Sequence, residues 1–198
     1  QARVGVALLP LDGAPARRKP IAFHGSDSFP TQSVYKLPIA LAALATADRQ
    51  KLAYDKPLRL IAADIATGTW ANGVRDRFKA GKVDVPLQEL VLEAVAHSDN
   101  SASDALMRFA GGPEAVQKHV AALGVAGFKV GTPIRGFDPA KNQATPIAAV
   151  TLLGLIANAG PVPGNARGVV FGAMQKTTTG PMRLPAGRHT VEWRFRAP

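Results

Sequence analysis

Phe29-Pro30-Thr31-Gln32-Ser33-Val34-Tyr35-Lys36-Leu37 leads into an alanine-rich apolar stretch on which the choice of architecture turns. From Ser33 the pattern is helical, with Leu37, Leu41 and Leu44 recurring at spacings of four and three. Pro38 falls in the first turns, where a missing N–H is tolerated. Ser33 at the start of a helix and Lys36 one turn later share a face, so the amine can reach the hydroxyl. That is a way to make a nucleophile without histidine. A neutral lysine takes the serine proton, and the free N–H groups of a helix N-terminus stabilise a developing oxyanion. Neutrality requires burial to lower the lysine pKa, and the apolar neighbours Leu37, Pro38 and Leu41 are compatible with that.

Taken singly, this spacing also fits a capping serine with a solvated lysine. A second cluster, His97-Ser98-Asp99-Asn100-Ser101-Ala102, could by itself be no more than a capping turn. Occurring in this order, each beside a suitable helix, the two are far more specific. The reading then makes one geometric demand: Ser98 must meet the Ser33–Lys36 turn in a single cleft.

Outward from this stretch, strands come first and helices follow. Arg3 to Leu11 is aliphatic and β-branched and breaks at Asp12-Gly13, and Ile21-Ala22-Phe23 follows Pro20. This reads as a hairpin or strand pair. A two-stranded sheet alone is marginally stable, so further strands are expected to join it. A helix is expected after Asp84-Val85-Pro86, with Leu87, Leu90, Val91, Ala94 and Val95 on its apolar face. Others run from Ser101 to Ala110, stopped by Gly111-Gly112, and from Pro113 to Leu123, stopped by Gly124. Thr145-Pro146 is an N-cap and first-turn signal for a helix to about Asn158. A weaker helix, Asn165 to Lys176, is interrupted by Gly168 and Gly172. Gly131 to Asn142 is an irregular loop.

The 198 residues, 46% hydrophobic and 19% charged, suffice for one domain or two closely packed lobes. No apolar run approaches the about 20 residues of a membrane span. No signal-peptide pattern opens the sequence, so a leader was removed or never existed. With no cysteine there are no disulfides or thiolate metal sites. The four histidines, His24, His97, His119 and His189, are dispersed without ligand spacing, and no metal is expected. Lys and Arg number 24 against 14 Asp and Glu, a net charge of +10. The basic residues are scattered, apart from mild clusters at Arg17-Arg18-Lys19 and between Arg183 and Arg196. No nucleic-acid motif accompanies them, so a solvated basic surface is expected rather than specific nucleic-acid binding. Glu89 and Glu93 read as a solvated helix face, and Gly111-Gly112 as a helix stop rather than a phosphate loop.

On these motifs the chain resembles the class A serine β-lactamases, with the wider penicillin-binding proteins behind them. The matching stretches are collinear: Phe29 to Leu37, His97 to Ala102, Gly111-Gly112-Pro113, Asn142-Gln143-Ala144-Thr145-Pro146 and Thr177-Thr178-Thr179-Gly180-Pro181. The resemblance implies an α+β fold of serine β-lactamase/transpeptidase type, with a nearly complete helical lobe and a truncated antiparallel sheet lobe. It implies a single domain over 1–198, with sheet strands in 1–25, the helical lobe in 26–176 and a truncated return to the sheet in 177–198. Ser33 would attack the β-lactam carbonyl, Lys36 would activate it, and Ser98 would protonate the leaving nitrogen. Asn100 would bind the substrate acylamide, Trp70 would stand at the cleft mouth, and Asp99 would hold its loop in place. The implied protein is a periplasmic or secreted monomer acting on a small β-lactam, without metal or organic cofactor.

Two departures accompany the resemblance. Ile134 falls where the family carries the glutamate that activates the hydrolytic water, in a shortened loop whose one carboxylate is Asp138. Beyond Leu184-Pro185-Ala186-Gly187 the Lys-Thr-Gly strand is replaced by Arg188 to Arg196, as after a change of reading frame. A lost oxyanion donor costs about 3 kcal/mol of transition-state stabilisation. These departures keep two alternatives open: a penicillin-binding peptidase-like acyltransferase, and a catalytically dead homologue.

Overall fold

The computed structural model describes residues 3–11, 19–67, 73–158 and 160–177. Trp70, the Thr178-Thr179-Gly180-Pro181 stretch and all residues beyond it fall outside the described residues.

The centre is α1 (Lys36–Arg49), in which Ile39, Ala40, Leu41, Ala42, Ala43, Leu44 and Ala47 are all buried. A helix that is apolar all round has to be enclosed on every side. Its neighbours are α3 (Leu87–Ala96), α4 (Asn100–Ala110), α5 (Pro113–Ala122) and α7 (Gly164–Gln175). The alanines matter because small side chains let α4 come close enough to present its first turn to Lys36.

The helix boundaries follow the punctuation. Thr145 caps α6 (Pro146–Ala157) by accepting from the Ala148 N–H, with Pro146 in the first turn. Gly111 closes α4 at φ +103°, a conformation that costs glycine little. One short helix, α2 (Gly73–Lys79), has no counterpart in the sequence reading.

At the front of the chain, β1 (Val6–Leu8) pairs antiparallel with β2 (Ile21–Phe23), in the register Val6 to Phe23 and Leu8 to Ile21. The hairpin lies on α6, and Leu9 approaches Gly154 so closely that a Cβ there would sit 2.7 Å from its methyl carbon. No strand of the described residues joins this pair. Two other short sheets clamp loops instead: β4 (Pro57–Arg59) with β5 (Asp84–Pro86), and β3 (Phe29–Pro30) with β7 (Gln143–Ala144) and β6 (Phe128–Lys129). The β3–β7 pairing sets the segment entering the Ser33 turn beside the exit of the 131–142 loop. Among the described residues no helix is long and apolar enough to cross a membrane.

Candidate active site

Ser33 is not on the α-helix proper. It lies in a 3-10 turn, Gln32–Tyr35, and the α-helix starts at Lys36. This corrects the expectation that Ser33 opens the helix. The tighter turn preserves the alignment, because residues three apart eclipse one another at three residues per turn. Gln32, just before the nucleophile position, has φ +45°. Such a backbone costs about 1–3 kcal/mol and persists where the surroundings hold it. Here Thr31 supplies the hold: it is buried, and its N–H donates to the Asn142 carbonyl at 3.0 Å.

Ser98 arrives from the junction of α3 and α4, also in the left-handed region at φ +59°. That twist turns both its carbonyl and its hydroxyl toward Lys36. The Lys36 Nζ lies 2.5 Å from the Ser98 carbonyl oxygen, 2.9 Å from Ser98 Oγ and 2.8 Å from Asn100 Oδ1. Ser98 Oγ in turn lies 2.9 Å from Ser33 Oγ. Ser33 is exposed, Ser98 and Asn100 half-buried, and Lys36 only 2% exposed.

Hydroxyl hydrogens can rotate, so this cluster satisfies two protonation states. With Lys36 as an ammonium, its three N–H groups reach three acceptors and Ser98 donates to Ser33. With Lys36 neutral, two N–H groups serve the Ser98 carbonyl and Asn100, and the lone pair accepts from Ser98, which accepts from Ser33. The chain of contacts is therefore a proton path in either direction. It runs through Ser98, not straight from Ser33 to Lys36 as the spacing suggested.

Burial pushes the Lys36 pKa down to about 8, against the opposing pull of the Asp99 and Asp104 carboxylates. About a tenth of the amine is therefore neutral at pH 7, far more than for a solvated lysine.

The acidic residues behind the cluster hold the scaffold. Asp99, fully buried, caps α4 through the Ala102 N–H at 2.9 Å and accepts from the Val74 N–H at 3.0 Å. Burial raises its pKa, partly offset by these N–H donors. Glu93, read from the sequence as solvated, is 8% exposed, which overturns that reading. Arg77 on α2 and His97 both bond it, at 3.1 and 2.9 Å. His97 is thereby turned to Glu93, one helical turn back.

Asp104 was missed by the sequence reading. It stands one turn beyond Asn100 on α4, 5% exposed, and accepts from the N–H groups of Ile134 at 2.7 Å and Arg135 at 2.9 Å. Burial raises its pKa to about 6. The available signal was a carboxylate amid the apolar residues Ala102, Ala105 and Leu106. The loop closes at Asn142, fully buried, which accepts from Gly131 and Thr132 N–H and donates to the Thr132 carbonyl and hydroxyl. Ile134, at the expected glutamate position, packs half-buried against the core. Arg135, to which the sequence gave no role, also donates its guanidinium to the Ala62 carbonyl at 3.1 Å. Among the described residues no group of three or more potential ligands could hold a metal ion.

Four of the five site residues expected from the sequence, Ser33, Lys36, Ser98 and Asn100, thus meet at one place. Trp70 lies outside the described residues.

Comparison with known proteins fits this geometry. The sequence shares 32% identity over 125 residues with the extended-spectrum beta-lactamase PER-1 of Pseudomonas aeruginosa, covering 63% of this chain and 39% of that protein. It shares 29% over 130 residues with a beta-lactamase of Bacteroides uniformis, covering 63% and 44%. The chain spans about two fifths of the length of such curated relatives. The solved structure of TLA-1 extended-spectrum beta-lactamase superposes with a TM-score of 0.84 at 30% identity, over 94% of this chain and 69% of that one. A class A beta-lactamase from Bacteroides cellulosilyticus gives 0.72 at 25% identity, over 83% and 62%. The α+β fold is therefore that of the class A enzymes, represented here over part of their length. The profile of the beta-lactamase enzyme family matches residues 2–195, and this chain belongs to that family.

Proposed function

We propose that this protein is a serine hydrolase that opens the β-lactam ring through an acyl-enzyme on Ser33. The observation that carries the reading is the Ser33–Ser98–Lys36 line of hydrogen bonds, which links an exposed hydroxyl to a buried amine of lowered pKa.

Neutral Lys36 draws a proton from Ser98 as Ser98 takes the Ser33 proton, and Ser33 Oγ attacks the lactam carbonyl. The first N–H groups of a helical segment have no intrahelical acceptor, so the Ser33 turn can donate to the oxyanion. Breaking the C–N bond returns the proton from Lys36 through Ser98 to the lactam nitrogen. Asn100 orients the acylamide of the substrate while its Oδ1 holds Lys36. General acid–base catalysis of this kind contributes about 10²–10⁴-fold.

In this reading Trp70 borders the cleft, the chain acts as a monomer in the periplasm or outside the cell, and β-lactam breakdown confers resistance. Residues 26–176 form the helical lobe of a single domain, with 1–25 and 177–198 in the sheet lobe. The net charge of +10 belongs to the surface and serves no specific nucleic acid.

Incubation with a chromogenic cephalosporin tests the reading, with intact-mass spectrometry following Ser33. Ring opening together with a transient adduct is expected. Neither turnover nor adduct would identify an inactive homologue, and a permanent adduct without turnover a penicillin-binding acyltransferase.

A further inference from the structure

The carboxylates on the elements around Ser33 are already engaged. Asp99 accepts from Ala102 and Val74, and Asp104 from Ile134 and Arg135. Glu93 pairs with Arg77 and His97. Asp138, in the loop, turns one oxygen to the Ala140 N–H at 2.9 Å and the other toward Lys141 at 3.7 Å. Ile134 offers no base. Among the described residues, the proton acceptor connected to Ser33 is Lys36, by way of Ser98.

We infer that the Lys36–Ser98 pair also activates the water that releases the acyl group from Ser33, so that one relay serves both halves of the reaction. The inference rests on the hydrolase reading above. Its chemical basis is reversal of the first half. Acylation leaves Ser98 Oγ beside the place the lactam nitrogen vacates, and a water entering there presents its O–H to Ser98 as the protonated nitrogen would in the reverse step.

The water oxygen forms a bond to the acyl carbon. Its proton passes to Ser98 Oγ, whose own proton moves to Lys36 Nζ. Collapse of the tetrahedral intermediate breaks the bond from the acyl carbon to Ser33 Oγ, and the proton returns through Ser98 to Ser33. The product is a carboxylic acid, and both serines and the neutral amine are restored.

The state of Lys36 therefore governs release. Facing it are Asp99, the N-cap of α4, and Asp104 of α4; Asp64, paired with Arg108, adds its charge to that of Asp104. Burial outweighs the two carboxylates and holds the amine near pKa 8.

The test loads the whole protein with benzylpenicillin, removes the excess, and follows loss of the adduct by intact-mass spectrometry from pH 6 to 9. Release should quicken about tenfold per pH unit and level off near the Lys36 pKa of about 8. Ser98→Ala, loaded by long incubation because its acylation is also slow, should release at least about 100-fold more slowly. Asp138→Asn should release as the unsubstituted protein does. The inference is overturned by a pH-independent release between pH 6 and 8, by equal release from Ser98→Ala, or by slowed release from Asp138→Asn. An adduct that never decays overturns it too and leaves acylation intact. Absence of both adduct and penicillin turnover removes the hydrolase reading itself, and this inference with it; where turnover outpaces isolation of the adduct, the pH profile of kcat is read in its place. The pH profile decides the matter even where Ser98→Ala does not fold.

Discussion

Ser98 meets Ser33 oxygen to oxygen at 2.9 Å across 65 residues of chain. The contact makes Ser98 the gate for protons leaving Ser33, since Lys36 faces Ser98 on the other side. Ser33→Ala should abolish covalent labelling by a fluorescent penicillin altogether, because the attacking oxygen is gone. Ser98→Ala should keep labelling but slow it about 10²–10⁴-fold. Labelling rates on a gel separate the two; undiminished labelling of Ser33→Ala would remove it as the nucleophile.

Acylation should depend on pH through Lys36. The amine is useful when neutral, and burial places its pKa at about 8. The second-order rate constant should therefore rise from pH 6 to about 8 and then flatten. Lys36→Arg, permanently charged, should lose the rising limb and at least about 10²-fold in rate. Stopped-flow acylation across this range checks both.

Asp104 ties α4 to the 131–142 loop. Asp104→Ala frees two N–H groups and should lower stability by about 2 kcal/mol, read from urea denaturation. The pH dependence has a definite sign. Its folded pKa is raised to about 6 from an ordinary carboxylate value, so between these pH values the folded state binds more protons than the unfolded. This group's contribution is fully present in acid and declines as pH rises through about 6. The unsubstituted protein should therefore lose stability relative to Asp104→Asn over that rise.

Asn142 holds both ends of the same loop with four side-chain hydrogen bonds, fully buried. Asn142→Ala takes away the partners of the Gly131 and Thr132 N–H groups and of the Thr132 carbonyl and should cost about 2 kcal/mol. A protease should then cut within 131–142 in the variant well before the parent. An uncut loop at equal stability would show that Asp104 alone suffices.

Local chemistry was legible wherever it acts over a few residues. Thr145-Pro146 started α6 and Gly111 ended α4 where the sequence placed them, because capping and left-handed backbone are local preferences. The strands β3, β6 and β7 were not legible, since two-residue strands carry no period. Nor was α2, whose significance lies in Arg77 reaching Glu93. A buried glutamate and a solvated one look alike in sequence; the partner that makes burial tolerable comes from another element. Asp104 was illegible for the same reason, its donors lying on a distant loop.

The amino-acid sequence alone determined which residues could do chemistry here: a serine and a lysine one turn apart, and a second serine before a capping aspartate. How they are wired is set by packing between distant segments. Packing of α4 on α1 buries Lys36 and brings Ser98 between it and Ser33. Desolvation and hydrogen-bond distance are set by what surrounds a group in space, and for these three side chains the surroundings come from segments far apart in the chain.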